Sequence, residues 1–262
     1  MKKIIAFTLA ALMIVSVMAF AGCSGSGDTK SSSEKKADAK TYVIYSDNAF
    51  APFEYLDEST NKYVGVDMEI MDAVAKDQGF EYEMHNEGFD ASMGAVQAGQ
   101  ADAMIAGMTI TDERKKTFDF SDAYFEDGQV LVVKPDSDIK GFEDLKDKKV
   151  ACKTSTVSGE YAESVKDKYG FEIDYFEGSD TMYQAVVTGS ADACIEDFSV
   201  IGYAIKDQNV ELKIITDPVN VKGYGFAVKK GQNSELVEMF NKGLSNIKKS
   251  GDYDKILEKY GY

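Results

Sequence analysis

The chain has 262 residues, a formal net charge of −16 and 44% hydrophobic residues. This length suits one large domain or two modest lobes, and the apolar content excludes a disordered chain. The acid excess argues against binding nucleic acid or anionic lipid through the protein surface, since both require clustered basic residues. Arg114 is the only arginine among 29 basic residues. It is either a solvated surface charge or a planar group that binds a carboxylate with two hydrogen bonds.

The N-terminal segment has the pattern of an export signal. Two lysines precede an apolar run over residues 4–20, and small residues stand just before Cys23. This ending resembles the lipobox of bacterial lipoproteins, where the cysteine is acylated with fatty acids such as palmitate. We therefore expect a signal peptide over 1–22, a lipid-anchored Cys23 and a flexible tether over 23–40. The alternative is an uncleaved membrane anchor. Either way, the domain is expected on the outer face of the cytoplasmic membrane.

The first folded unit follows the tether. Residues 42–45 form a β-rich run, and apolar residues at helical spacing predict an amphipathic helix over 67–78. Asp67 is the expected N-cap, and Gly79 is the expected stop. A strand at 81–84, a second helix and a third strand that ends in Ala-Asp-Ala complete the unit.

The second unit repeats the first. Residues 88–107 and 178–197 align without gaps at an offset of 90. The identical pairs are Gly88/Gly178, Asp90/Asp180, Ala95/Ala185, Val96/Val186, Gly99/Gly189, Ala101/Ala191, Asp102/Asp192, Ala103/Ala193 and Ile105/Ile195. Strands are predicted at 149–152 and 172–176. Strands that alternate with helices imply right-handed crossovers and parallel sheets, so we expect two similar α/β lobes.

Polar side chains gather where the predicted strands end. Open α/β sheets bind ligands at the carboxyl ends of their strands. One arginine, one lysine, several carboxylates, two hydroxyls and an aromatic ring stand at or near these ends: Asp47, Phe50, Thr109, Arg114, Lys153, Thr156, Glu196 and Asp197. This combination suits a zwitterionic ligand.

Each group has an expected role and an alternative. Arg114 would take a carboxylate, helped by backbone N–H groups near Thr109, and Asp197 would pair with an ammonium. Phe50 and Phe89 would cover an aliphatic stem. Alternatively, Phe50 is a core residue and Asp197 is a helix N-cap.

Catalytic and metal chemistry find little support in the sequence. The single histidine, His85, lies in a strand-like run, and no nucleophile–base pair, metal-ligand spacing or phosphate loop stands out. We therefore expect no enzyme activity, no cofactor and no metal. Cys152 and Cys194 could form a disulfide, but their apolar surroundings favour two buried thiols.

Four segments carry a family resemblance. They are Asp47-x-x-Phe50-x-Pro52-Phe53-Glu54-Tyr55, Gly65-Val66-Asp67, Ala106-Gly107-Met108-Thr109 running on to Arg114, and Ser250-Gly251-Asp252-Tyr253. The chain resembles, over residues 41–262, the polar-amino-acid solute-binding proteins of ABC importers (extracellular solute-binding protein family 3). The resemblance implies an α/β fold of two lobes, the "Venus flytrap", in which each lobe is a mainly parallel sheet flanked by helices.

The resemblance also implies boundaries and partners. Lobe 1 would span 41–127 and 222–262, and lobe 2 would span 131–218. Two crossing strands would contain hinges near Gly128–Val130 and Val219–Tyr224. The protein would be a monomer that binds a free polar amino acid and docks on a membrane permease.

The resemblance assigns roles to individual residues. Gly107, Thr109 and Arg114 correspond to contacts with the α-carboxylate and α-amino groups, and Asp197 corresponds to the ammonium partner. The remaining positions are side-chain readers, aromatic walls and a backbone contact: Asp47, Lys153, Phe50, Phe89 and Thr156. The glycine usual after Thr156 is replaced by Val157.

The expected ligand side chain follows from charge. Asp47 and Lys153 facing one side chain favour a neutral amide, and hence glutamine. If Glu196 neutralises Lys153 instead, the preference returns to lysine, arginine or histidine. Two other functions stay open: an enzyme on the same fold, since some relatives resemble dehydratases, and a tethered sensor.

Overall fold

The computed structural model describes residues 40–262. The predicted signal peptide, the predicted acylation site Cys23 and the predicted tether up to residue 39 lie outside the described residues. Up to residue 120 the chain forms, in order, β1 (Thr41–Ser46), β2 (Ala49–Phe50), β3 (Glu54–Asp57), β4 (Lys62–Val64), α1 (Val66–Gln78), β5 (Glu81–Asn86), α2 (Phe89–Ala98), β6 (Ala103–Met104) and β7 (Phe118–Phe120).

The second half of the chain builds the second lobe and returns to the first. Its elements are β8 (Phe125–Val133), β9 (Lys149–Lys153), α3 (Val157–Tyr169), β10 (Glu172–Phe176), α4 (Ser179–Thr188), β11 (Ala193–Asp197), α5 (Phe198–Asp207), β12 (Lys213–Ile214), β13 (Val219–Tyr224), β14 (Ala227–Lys229), α6 (Ser234–Ser250) and α7 (Asp252–Lys259). Short 3₁₀ helices cover Arg114–Lys116 and Phe142–Asp144.

The two repeats give two sheets with the same internal order. The first sheet runs β5-β1-β6-β14-β7, and the second runs β10-β9-β11-β8-β12. In each, the first strand of the repeat is central and pairs in parallel with the other two. Later strands join each sheet antiparallel. The predicted two-lobed α/β fold is confirmed, and the internal repeat is its physical basis. A small sheet, β2-β3-β4, lies beside the first lobe's helix α1.

Two antiparallel strands connect the sheets. β13 pairs with β8 along most of its length, with Tyr224 opposite Phe125 and Val219 opposite Gln129. Gly128 lies so close to β13 that a Cβ there would stand 2.8 Å from the Val219 carbonyl oxygen. The predicted hinge segments lie within these two strands.

The start of α1 differs from the prediction. Gly65 occupies the N-cap position with φ 140°, and Asp67 is the second residue of the helix, fully buried. Asp67 therefore lies inside the helix and does not cap it. Its carboxylate instead accepts a hydrogen bond from the Gly107 N–H at 2.8 Å. The predicted stop is confirmed, since Gly79 is left-handed and donates to the Ala75 carbonyl.

The third strand of each repeat begins, rather than ends, at the Ala-Asp-Ala motif. The aspartate fixes the start of the strand by binding the central strand. Asp102 accepts from the Val43 N–H, and Asp192 accepts from the Lys149 N–H, both at 2.9 Å. The repeated aspartate therefore has the same structural task in both lobes.

Helices cover both faces of each sheet. α1 and α6 pack on one face of the first sheet and α2 on the other, while α4 and α5 oppose α3 across the second. Cys152 and Cys194 are buried free thiols in adjacent strands, as predicted. His85 lies in β5 and stacks on Tyr45, with ring centroids 5.0 Å apart. No helix within residues 40–262 is both long and apolar enough to cross a membrane.

Candidate functional site

A small cavity lies between the two lobes, at the carboxyl ends of their central strands. All nine residues predicted to bind the ligand line it, together with Ala106, Val157 and Glu196. The two lobes contribute to one cavity because β1 and β9 point their carboxyl ends at the same cleft. The structure thus brings the predicted residues together, and their roles as ligand contacts remain a proposal.

Arg114 is a buried cation that bridges the lobes. Its side chain lies in the cavity wall, and the residue is only 6% exposed, so the surface-charge alternative is wrong. Nη1 donates to the Thr109 carbonyl at 2.9 Å, and Nη2 donates to the Ser155 carbonyl at 3.0 Å. Burial lowers the pKa of the guanidinium, and the nearby carboxylates of Glu160 and Asp197 raise it. Its remaining donors are suited to a ligand carboxylate.

Asp197 is the last residue of β11 and places an acidic side chain in the wall of the cavity that Arg114 also lines. It occupies the N-cap position of α5, but its side chain makes no capping hydrogen bond. Instead the carboxylate accepts from Gln129 Nε2 at 2.8 Å, from Ser158 Oγ at 3.2 Å and from the Tyr224 hydroxyl. These three donors hold the carboxylate in a fixed orientation in the cavity wall.

Asp47 and Lys153 form a buried ion pair between the lobes. Asp47 follows β1 and Lys153 ends β9; their side chains are 2% and 1% exposed. The Asp47 carboxylate also accepts from the Asn48 N–H at 2.7 Å, and the Lys153 Nζ lies 5.0 Å from the Phe50 ring centroid. The acid and the base predicted to face one ligand side chain therefore neutralise each other in this structure.

Glu196 does not take the role of counter-charge to Lys153. Its carboxylate accepts from Ser179 Oγ at 2.8 Å, from the Tyr183 hydroxyl at 3.1 Å and from the Asp197 N–H at 2.9 Å. Burial and the neighbouring Asp197 charge raise the pKa of Glu196 to about 7. Lys153 finds its ion-pair partner in Asp47 instead.

The aromatic walls are also core residues. Phe50 and Phe89 are 5% and 6% exposed, so Phe50 is at once part of the core and part of the cavity lining. Gly107 has a positive φ of 52°, and a Cβ there would lie 2.4 Å from the Phe50 ring. Only glycine lets this segment pass so close to the ring.

Thr156 serves the helix as well as the cavity. It is the N-cap of α3, where its Oγ1 accepts from the Gly159 N–H at 3.3 Å and donates to the Lys153 carbonyl at 2.8 Å. Val157, which stands where a glycine is usual, is the first residue of that helix and lines the cavity.

Sequence reasoning missed the residues that close the cleft. Ser155, with φ 59°, receives the second hydrogen bond from Arg114, and its Oγ donates to Asp90 at 2.7 Å. The hydroxyls of Tyr55 and Tyr203 meet at 3.3 Å. These contacts join the lobes in a closed arrangement. The sequence offers one signal for Ser155, which is its position between the predicted site residues Lys153 and Thr156.

The described part of the chain holds no cluster of metal-binding side chains. Between residues 40 and 262, no group of three or more His, Cys, Asp or Glu side chains is arranged to hold a metal ion.

Comparisons with known proteins agree with this geometry. Residues 42–262 match the family described as "Bacterial extracellular solute-binding proteins, family 3". The chain is 35% identical to a probable histidine-binding protein of Neisseria gonorrhoeae, over 99% of this chain and 96% of that protein. It is equally 35% identical to the ABC transporter glutamine-binding protein GlnH of Bacillus subtilis (strain 168), over 99% and 97%.

A solved structure shows the same fold. The structure of an ancestral arginine-binding protein bound to glutamine superposes with a TM-score of 0.77 at 40% identity, covering 84% of this chain and 97% of that one. The match to the family extends over the whole described domain apart from its first two residues. The chain therefore belongs to family 3 of the bacterial extracellular solute-binding proteins.

Proposed function

We propose that this protein captures a free polar amino acid, preferentially glutamine, between its two lobes and delivers it to the permease of an ABC importer. The observation that carries the proposal is the arrangement of charged side chains around the cavity between the lobes. Arg114 lies in one part of the wall, Asp197 in another, and the Asp47–Lys153 pair in a third. These three features complement a carboxylate, an ammonium and an amide.

The α-carboxylate and α-ammonium groups are recognised by fixed charges. Arg114 is held by carbonyl groups of both lobes, and Asp197 is held by three donors. Binding groups that are already oriented lose little entropy when the ligand arrives. Family membership and relatives whose names refer to histidine and glutamine support an amino acid as the ligand.

The side-chain preference follows from the ion pair. A primary amide donates from its nitrogen and accepts at its oxygen, so it can insert between Asp47 and Lys153 without leaving either charge unpaired. The guanidinium or ammonium of a cationic ligand would be attracted to the Asp47 carboxylate but repelled by the adjacent Lys153 ammonium. The solved neighbour is named an arginine-binding protein and is bound to glutamine, which makes arginine the principal competitor.

The energetic requirement is modest. Micromolar affinity corresponds to about −8 kcal/mol. Spread over about ten heavy atoms, this is less than 1 kcal/mol per atom in magnitude, well within the range for small ligands. Charge pairing in a shared cleft is sufficient, and no chemical step is involved.

In the proposed cycle the two lobes close around the amino acid and later release it chemically unchanged. The ligand stabilises the closed arrangement because it bridges Arg114 and Asp47 on one lobe with Asp197 and Lys153 on the other. The closed form then docks on the permease, and reopening releases the amino acid.

The ligand is tested by calorimetry with the twenty amino acids, one at a time, on the purified mature domain. We expect glutamine to bind with the lowest dissociation constant and arginine to bind more weakly. Tighter binding of arginine or histidine would overturn the side-chain assignment, and binding of none of the twenty would overturn the proposal as a whole.

We propose that the domain is tethered outside the cytoplasmic membrane through acylated Cys23. The small residues that precede this cysteine support the proposal. A Cys23→Ser substitution should abolish incorporation of labelled palmitate and shift the protein from the membrane fraction to the medium or periplasm. A labelled Cys23→Ser protein, or a membrane-bound one, would contradict the anchor.

A further inference from the structure

Two carboxyl groups meet in the interior of the first lobe, behind the cavity wall. Glu54 begins β3, Asp67 lies in the first turn of α1, and both residues are fully buried. The Asp67 N–H donates to the Phe53 carbonyl at 2.9 Å, which places Asp67 beside Glu54 along the backbone. A hydrogen bond between their side chains requires a proton on one of them, because an ionised carboxylate only accepts.

If both groups were ionised, three of their four carboxylate oxygens would have no hydrogen-bond donor. Within the described residues, both oxygens of Glu54 and Oδ1 of Asp67 have no hydrogen-bond partner. Oδ2 of Asp67, in contrast, accepts from the Gly107 N–H and from the Tyr124 hydroxyl, each at 2.8 Å. Three orphaned acceptors at 0% exposure would be costly. One proton on Glu54, donated to Oδ1 of Asp67, satisfies two of these three oxygens and leaves one Glu54 oxygen without a partner.

The neighbouring charges favour a proton on Glu54 rather than on Asp67. Burial raises the pKa of Glu54 well above its ordinary value, and the charges of Asp67 and Asp47 raise it further, with Lys153 opposing them. Burial also raises the pKa of Asp67, to about 6, against the two hydrogen bonds from Gly107 and Tyr124. The ionised form is thus better stabilised at Asp67, which has two hydrogen-bond donors, than at Glu54, which has none.

We propose that Glu54 and Asp67 share a single proton, carried by Glu54, and that the pair is a positioning element that holds the Gly107 segment of the ligand cavity in place. Asp67 binds the Gly107 backbone, and Glu54 orients Asp67. Gly107 faces the Phe50 ring in the cavity wall. The connection to ligand binding rests on the proposed function; the shared proton does not.

The shared proton predicts a pH-dependent stability. Glu54 in the unfolded chain ionises near its ordinary pKa, whereas folded Glu54 keeps its proton, so stability is complete at low pH and declines as pH rises toward the folded pKa. Above pH 7, where Asp67 is ionised in the folded protein, the native state holds one more proton on this pair than the unfolded chain does.

Glu54→Gln tests the pair, because the amide mimics the protonated acid. Chemical unfolding above pH 7 should show the folding equilibrium constant of the wild type falling, relative to Glu54→Gln, about tenfold per pH unit until the pair ionises. The matched control is Glu58→Gln, on the exposed turn after β3, which should follow the wild type. Parallel pH profiles for the wild type and Glu54→Gln would overturn the proposal. So would a Glu54→Gln protein that does not fold, since the amide supplies the same donor.

Infrared spectroscopy detects the proton directly. At pH 8 the wild type should show the C=O stretching band of a protonated carboxylic acid that Glu54→Gln lacks and Glu58→Gln keeps. Its absence from the wild type would overturn the shared proton. Glutamine calorimetry adds a functional arm: Glu54→Leu, which has no donor for Asp67, should bind glutamine more weakly than the wild type, and the conservative Glu54→Gln should restore the affinity. If glutamine binds none of these proteins, the proposed ligand fails, while the unfolding and infrared results still decide the proton pair.

Discussion

Replacing Arg114 by lysine is expected to weaken glutamine binding at least about 100-fold, or about 3 kcal/mol, while the domain stays folded. Lysine keeps the charge but loses the planar fork that a carboxylate needs for two parallel hydrogen bonds. It also cannot reach the carbonyls of Thr109 and Ser155 at once, as the two Arg114 nitrogens do. The closed arrangement therefore loses a contact between the lobes together with the ligand contact.

Calorimetry measures the affinity, and circular dichroism during heating verifies the fold. Lys115→Arg is the matched control, because this neighbour on the same 3₁₀ helix is exposed and pairs only loosely with Asp112, at 3.9 Å. The control should bind as the wild type does. If Arg114→Lys retained wild-type affinity, the guanidinium would not be the carboxylate site.

Replacing Lys153 by methionine is expected to reverse the ligand preference. Methionine keeps the apolar stem but leaves the Asp47 carboxylate buried without its ion-pair partner, which typically costs about 3–5 kcal/mol. Arginine can supply the missing cation, and glutamine cannot. The ratio of the arginine to the glutamine dissociation constant should therefore fall at least about 100-fold relative to the wild type.

Competition calorimetry with both amino acids measures this ratio. Lys149→Met is the matched control, since Lys149 lies on the same strand β9 but at its exposed start, paired with Asp174 at 3.6 Å. It should leave the ratio unchanged. A Lys153→Met protein that still prefers glutamine would show that the ion pair does not select the ligand side chain.

Much of the fold could be predicted because the chain repeats itself. The offset of 90 residues located two equivalent β-α-β-α-β units, and the rule that ligands bind at strand ends then led to one cavity. The unusual Arg114 followed from its rarity and its position after a strand. Each of these features can be read from a short stretch of sequence. The repeat also has a structural counterpart, since Asp102 and Asp192 make the same backbone contact in both lobes.

The missed features depend on contacts between distant parts of the chain. Asp67 has the sequence pattern of an N-cap, but its carboxylate is taken by Gly107, 40 residues away. The donors that hold Asp197 include Gln129 and Tyr224, which come from the crossing strands β8 and β13. No local pattern reports such pairings, because they arise only when the two lobes and their connecting strands pack together.

A crystal structure of the mature domain grown with glutamine is the most direct test of the proposed ligand and its binding mode. We expect one glutamine in the cavity between the lobes. Its carboxylate should lie on Arg114, its ammonium on Asp197, and its amide between Asp47 and Lys153. A ligand bound outside this cavity, or one whose amide lies against Arg114, would contradict the proposed binding mode.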